Sequence, residues 1–173
     1  MKNSLKALLF CTFIFTSSAQ AGFLIEPYLS YSFGSQDGSS TDTNFNGPGY
    51  GARLGYQFLG FMAGADYSIQ SLNFDDDGDK KQLGLFAGYD APILFRVWGT
   101  YFLNGSIEFD SNSELDGGSG YALGAGYTGL PFVSLNVEYR VMNYDEASAA
   151  NVTNTVDIET KEILFSVSLP LNL

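Results

Sequence analysis

Ile163-Leu164-Phe165-Ser166-Val167-Ser168-Leu169-Pro170-Leu171-Asn172-Leu173 is the stretch that decides the fold. Its odd positions are all apolar, while the even ones carry Ser166, Ser168, Pro170 and Asn172 beside Leu164. A period of two marks a strand with one face in an apolar medium. The opposite end of the chain repeats it. Phe23, Ile25, Pro27, Leu29, Tyr31 and Phe33 alternate with Glu26, Tyr28, Ser30 and Ser32. Between these two segments, 23–34 and 163–173, the same alternation places strands at 49–58, 61–72, 81–90, 94–109, 120–128 and 132–142. No stretch after Gly22 keeps apolar residues at helical spacing over three turns. The chain therefore reads as all-β, with eight strands.

The connections alternate in length. Short turns fall at Leu59-Gly60, Ala91-Pro92-Ile93 and Gly129-Leu130-Pro131, where Gly and Pro supply turn geometry. Long polar links cover 35–48, 73–80, 110–119 and 143–160. Short turns at one end and long loops at the other are the plan of an antiparallel up-and-down transmembrane β-barrel. A weak repeat marks the hairpins: Gly51-x-x-x-Gly55-Tyr56, Gly84-x-x-x-Gly88-Tyr89 and Ala122-x-x-x-Gly126-Tyr127. Each ends just before a short turn, which sets the three tyrosines along one rim.

The two faces differ in chemistry. The apolar parity holds Tyr and Phe toward the strand ends, among them Tyr31, Phe33, Tyr50, Phe61, Phe95 and Tyr121. That arrangement suits the two headgroup interfaces of a bilayer. The other parity holds Glu26, Arg53, Asp66, Asp90, Arg96, Glu108, Glu138, Arg140 and Glu162, interspersed with Gly and Ser. Lys80, Lys81 and Lys161 fall at loop ends. A soluble lipocalin-like barrel would need the reverse assignment, but Gly and Ser are too small to form a solvated outer face. They fit the crowded interior of an eight-stranded barrel. A two-residue turn at Leu59-Gly60 would set Arg53 opposite Asp66, both inward.

The candidate site is a lumen charge network of Glu26, Arg53, Asp66, Arg96, Glu138 and Arg140. Buried ion pairs plugging the lumen, or a gated ion path, are its two readings. The six inward acids leave the other 13 of 19 in the loops, so the outer surface is strongly acidic. The run Asn73-x-Asp75-x-Asp77-Gly78-Asp79 imitates the start of a calcium loop. Gly84 stands where the bidentate Glu is needed, so Asp75, Asp77 and Asp79 offer only a weak divalent-cation site, and no structural metal or cofactor is expected.

Residues 1–21 read as a cleaved secretory signal. Lys2 and Lys6 precede an apolar run, and Ala19-Gln20-Ala21 fits cleavage before Gly22. Residues 22–173 form the barrel domain. The only cysteine, Cys11, follows Phe10 and lies in the leader, so neither lipidation nor a disulfide is expected. Losing the two lysines takes the formal charge from −11 to −13, which disfavours nucleic acid as a partner. The chain has no histidine, which removes Ser-His-Asp hydrolysis and His-ligated metal chemistry.

These features resemble the small eight-stranded outer-membrane barrels of the OmpA/OmpX type over residues 22–173. The resemblance rests on four hairpins, a polar lumen and a final alternating strand ending in Val167-Ser-Leu-Pro-Leu-Asn-Leu173, where relatives commonly end in Phe. It implies a multi-pass protein of a Gram-negative-type outer membrane, inserted by periplasmic chaperones and the barrel-assembly machinery. It also implies lipid and lipopolysaccharide as neighbours and a monomeric state. The enzymes that share such barrels use a catalytic His, so a non-enzymatic structural or surface-interaction role is expected. A narrow porin-like channel or small-molecule-binding barrel is the alternative. No appended periplasmic domain is expected, and the strands read as shorter than those that protrude as an adhesive sheet. Glu138 with Glu162 is the least improbable carboxylate pair for any chemistry.

Overall fold

The computed structural model describes residues 21–37, 43–73, 78–109, 113–149 and 152–173. The expected leader, residue 21 apart, lies outside them. Ten strand segments run β1 (Gly22–Asp37), β2 (Thr43–Phe58), β3 (Phe61–Leu72), β4 (Gly78–Ala91), β5 (Phe95–Phe109), β6 (Ser113–Asp116), β7 (Ser119–Tyr127), β8 (Ser134–Ala149), β9 (Val152–Ser168) and β10 (Leu171–Asn172). They occupy eight positions. β6 and β7 both lie between β5 and β8 in one continuous register, broken only at Gly117-Gly118. β9 and β10 both pair β1, and the break between them falls at Leu169-Pro170, where proline has no N–H to donate. Every pairing is antiparallel, and the β1–β9 ladder, Tyr28↔Ser168 to Asp37↔Glu159, closes the ring.

The barrel is inside-out relative to a soluble domain. In β1, Leu24, Glu26, Tyr28 and Ser32 are buried, while Phe23, Leu29 and Phe33 are 68%, 71% and 53% exposed. The same contrast recurs around the ring: Leu54, Leu85, Val97, Leu123 and Ile163 face out, and Arg53, Arg96, Glu138 and Arg140 face in. An apolar exterior over a charged interior is stable only where hydrocarbon covers it. At the rim with the short turns, three aromatic pairs bridge adjacent strands: Phe23–Tyr56 at 5.8 Å, Phe61–Tyr89 at 4.9 Å and Phe95–Tyr127 at 5.5 Å between ring centroids. These are the three tyrosines of the sequence repeat, each meeting the first or second residue of a neighbouring strand.

The turn at Leu59-Gly60 is the two-residue turn expected, with both residues at positive φ (51° and 85°) and Phe58 paired to Phe61. Three expectations are corrected. The turn read at 129–131 is wider, because β7 ends at Tyr127 and β8 starts only at Ser134. The long links are largely paired strand: β1 with β2 to Gln36↔Thr43, and β8 with β9 to Ala149↔Val152. The strands are therefore not short. β8 has 16 residues and β9 has 17, whereas a spanning strand needs about 9–11. Their hairpin stands above the bilayer.

The third correction concerns β5. Leu83 pairs Asn104 while Gly84 pairs Phe102, so Leu103 is an extra residue in a β-bulge. One inserted residue reverses every later side chain. Ile107 turns inward and is 1% exposed, while Glu108, expected in the lumen, faces solvent and pairs with Lys81 at 2.6 Å. Ile107 then joins Phe102, Leu115, Ala122, Met142 and Tyr144 in an apolar cluster inside the long-loop end, flanked by Ala147, Val156 and Ile158. This cluster lies beside the buried Lys80, which pairs Ile107 across the β4–β5 ladder, while a second buried apolar cluster, Leu24, Met62, Phe86 and Trp98, lies toward the short-turn end.

Candidate functional site

The lumen is filled by one connected network. β2 and β3 place Arg53 opposite Asp66, and Arg53 Nε donates to Asp66 Oδ2 at 3.1 Å. Its Nη2 reaches across the barrel to Glu138 Oε2 at 3.0 Å, and its Nη1 lies 3.7 Å from Glu26 Oε1. The guanidinium stacks between Trp98, 4.4 Å from the ring centroid, and Tyr28, at 5.0 Å. A planar cation with five donors suits this position, where an ammonium could not make all these contacts.

Two further clusters extend the network along the axis. Toward the long-loop end, Arg140 Nε donates to Glu138 Oε1 and its Nη1 to Gln82 Oε1 at 2.7 Å and Ser68 Oγ at 3.2 Å. Toward the short-turn end, Arg96 Nη1 donates to both oxygens of Glu26 at 2.7 Å, and Ser168 Oγ donates to Glu26 Oε1 at 2.6 Å. Trp98 Nε1 and Tyr28 Oη each donate to a carboxylate, Glu138 at 2.6 Å and Asp66 at 2.8 Å. The strands bring all six expected residues, Glu26, Arg53, Asp66, Arg96, Glu138 and Arg140, together, each at most 2% exposed.

The glycines of the inward parity make this packing feasible. A Cβ on Gly124 would collide with the edge of the Trp98 indole, and one on Gly51 with the Cζ–Oη end of Tyr28. Bulk on β1 and β5 is matched by absence of bulk on β2 and β7.

Sequence reasoning missed Lys80. It is 0% exposed and donates to Glu162 Oε1 at 3.0 Å, with the Phe45 ring 5.7 Å away. The signal was present, because Lys80 shares the parity of Gln82 and Gly84 once β4 is started at Gly78. Among the described residues the buried charges are Arg53, Lys80, Arg96 and Arg140 against Glu26, Asp66, Glu138 and Glu162. The balance is what burial demands, since an unpaired ion in this interior is costly. Glu138 and Glu162 are therefore cation partners, not a bare acid pair. Of the candidate cation ligands, Asp75 and Asp77 lie outside the described residues. Asp79 is exposed and accepts from Ser71 Oγ at 2.9 Å. No cluster of metal-binding side chains occurs among the described residues.

Closed antiparallel ring, apolar exterior and ion-paired lumen together define an eight-stranded barrel of the outer-membrane type. No protein-family model matches the chain, and no curated protein sequence matches it. Solved structures do. Neisserial surface protein A superimposes with a TM-score of 0.61 at 18% identity, over 89% of this chain and 100% of that one. Ail, the attachment invasion locus protein of Yersinia pestis, crystallised with the heparin analogue sucrose octasulfate, gives 0.58 at 14% identity over 87% and 99%. OprG from Pseudomonas aeruginosa gives 0.50 at 10% over 90% and 99%. The fold is that of these small outer-membrane barrels, as the alternation of the sequence implied.

Proposed function

We propose that the protein is a non-enzymatic, non-conducting barrel of the outer membrane, with a structural and surface-interaction role carried by its acidic outer loops. The observation that carries this reading is the double closure of the lumen. The ion-paired layer around Arg53 crosses the lumen in the membrane section, and the apolar cluster around Met142 and Tyr144, with the buried Lys80–Glu162 pair beside it, occupies the section above. An ion crossing this interior would have to separate buried pairs and then enter an apolar core, and both steps are costly. The absence of any histidine and the engagement of Glu138 and Glu162 by cations support a role without catalysis.

The outer surface sets the partner chemistry. Glu108, Asp116, Asp145 and Glu146 lie on the protruding strands and are not buried, and they repel polyanions unless a divalent cation bridges them. Lipopolysaccharide held through such cations, or a cationic protein surface, fits. The protein acts as a monomer after insertion by the assembly machinery. In planar bilayers the purified barrel is expected to give no single-channel steps, while proteolysis of intact cells cuts the outer loops. Steady conductance steps that disappear in Arg53→Ala would replace this reading with that of a channel.

A further inference from the structure

At the short-turn end the lumen opens into a vestibule of about 530 Å³. Its rim is apolar: Leu59, Leu94 and Phe132 come from the three turns and are 54%, 51% and 89% exposed. Its floor is polar, with Asp90, Arg96, Ser134 and Asn172. The charges do not balance here. Arg96 is already held by Glu26, and its Nη2 lies 3.5 Å from Asp90. The other cation near Glu26, Arg53 at 3.7 Å, also serves Asp66 and Glu138, so carboxylates outnumber cations in this linked set. Gln57 hydrogen-bonds Asp90, whose side chain keeps 22% of its surface open. Ser134 Oγ, Asn172 Oδ1 and Arg96 Nε are buried polar atoms that no group among the described residues satisfies. Ser134 is 1% exposed and Arg96 2%, so these atoms belong to a floor built into the barrel.

We propose that this vestibule binds a primary ammonium group carried on a short apolar body. An ammonium offers three N–H donors, and the Asp90 carboxylate, Ser134 Oγ and Asn172 Oδ1 are three acceptors lining the same vestibule. Its charge offsets the second carboxylate. The apolar body lies against Leu59, Leu94 and Phe132, and Arg96 Nε–H takes an oxygen carried beside the amine. A quaternary ammonium has no N–H to give, and a carboxylate is repelled by Asp90. The same chemistry is supplied by a free aminoalkyl compound or by the ethanolamine headgroup of a phospholipid in the adjoining leaflet.

The test uses the whole barrel in phosphatidylcholine nanodiscs, titrated at neutral pH with n-butylamine and followed by amide shifts at Asp90, Ser134 and Asn172. Saturable shifts confined to the vestibule are expected, with none from tetramethylammonium or butyrate. Asp90→Asn should weaken binding about tenfold, the size of one lost charge-assisted contact. Ser134→Ala, which leaves the charges in place, should weaken it about threefold. Heat-modifiable migration checks that both variants fold. Replacing part of the lipid by phosphatidylethanolamine separates the sources. Loss of apparent butylamine affinity identifies the headgroup as ligand, and unchanged affinity identifies the free amine. Shifts that fail to saturate, equal shifts with butyrate, or full binding by folded Asp90→Asn would overturn the assignment.

Discussion

Replacing Arg53 with methionine keeps much of the volume and removes the charge at the centre of the lumen. The side chain is 1% exposed and holds Asp66 at 3.1 Å and Glu138 at 3.0 Å. Glu138 retains Arg140 and Trp98, but among the described residues Asp66 is left with the Tyr28 hydroxyl as its one side-chain hydrogen-bond donor. Breaking one side of a buried pair costs about 3–5 kcal/mol, most of it from the stranded charge. The double variant Arg53→Met/Asp66→Asn removes that charge and should recover about 2 kcal/mol or more of the loss. Trp98 is the only tryptophan in the sequence, and its ring lies 4.4 Å from the guanidinium. Its fluorescence therefore reports unfolding in urea from lipid vesicles. A single variant costing under about 1 kcal/mol, or a double variant no better than the single, would refute the view that a stranded carboxylate dominates.

Gly124→Ala should cost about 1–3 kcal/mol by forcing the Trp98 ring from its place, whereas Gly99→Ala, whose nearest neighbour would be 3.7 Å away, should be close to neutral in the same urea titration. Leu94 holds φ at 66°, a region that costs an L-residue about 1–2 kcal/mol, so Leu94→Gly should stabilise the barrel by a fraction of that. Tyr144 lies in the apolar cluster above the membrane with its hydroxyl unsatisfied among the described residues, and burial pushes its pKa far above the ordinary phenol value. Its folded-state pKa is raised, so its contribution is complete below about pH 10, the unfolded value, and is lost as pH rises beyond it. Protease should cut the β8–β9 hairpin more readily above that pH in the wild type, and Tyr144→Phe should remove this alkaline sensitivity. The same variant should stabilise the hairpin by about 1 kcal/mol at neutral pH, because the unmade hydrogen bond is deleted.

Residues bathed by hydrocarbon were the readable ones. Leu29 beside Ser30, or Val167 beside Ser166, differ so sharply in chemistry that period two is plain, and the Arg53–Asp66 register followed from one turn. Above the membrane the contrast changes sign: the outer face meets water, so strand residues such as Asn143, Asp145 and Glu146 look like loop. Met142 and Tyr144 beside Asn143 and Asp145 do alternate, but with the apolar member inside. The bulge at Leu103 was hidden for another reason. Nothing in Tyr101-Phe102-Leu103-Asn104 marks the extra residue, which is fixed by pairing to β4. Lys80 was misplaced because the strand was started one residue too late to include it. The vestibule depends on how three turns converge, which no local pattern encodes.

The change of exterior chemistry along the axis, from apolar to charged, also works as a depth gauge. Carrying the barrel deeper would draw Glu108 and Lys81, now paired in water at 2.6 Å, into hydrocarbon. Raising it would lift Phe33 and Ile163, which pair toward the long-loop end of the outer face, into the aqueous phase. Both displacements are opposed, so the molecule has one preferred height in its membrane and a restoring force on either side of it. Small amphiphiles or lipids that thin the bilayer would be felt as vertical load on the same staves that hold the buried ion pairs.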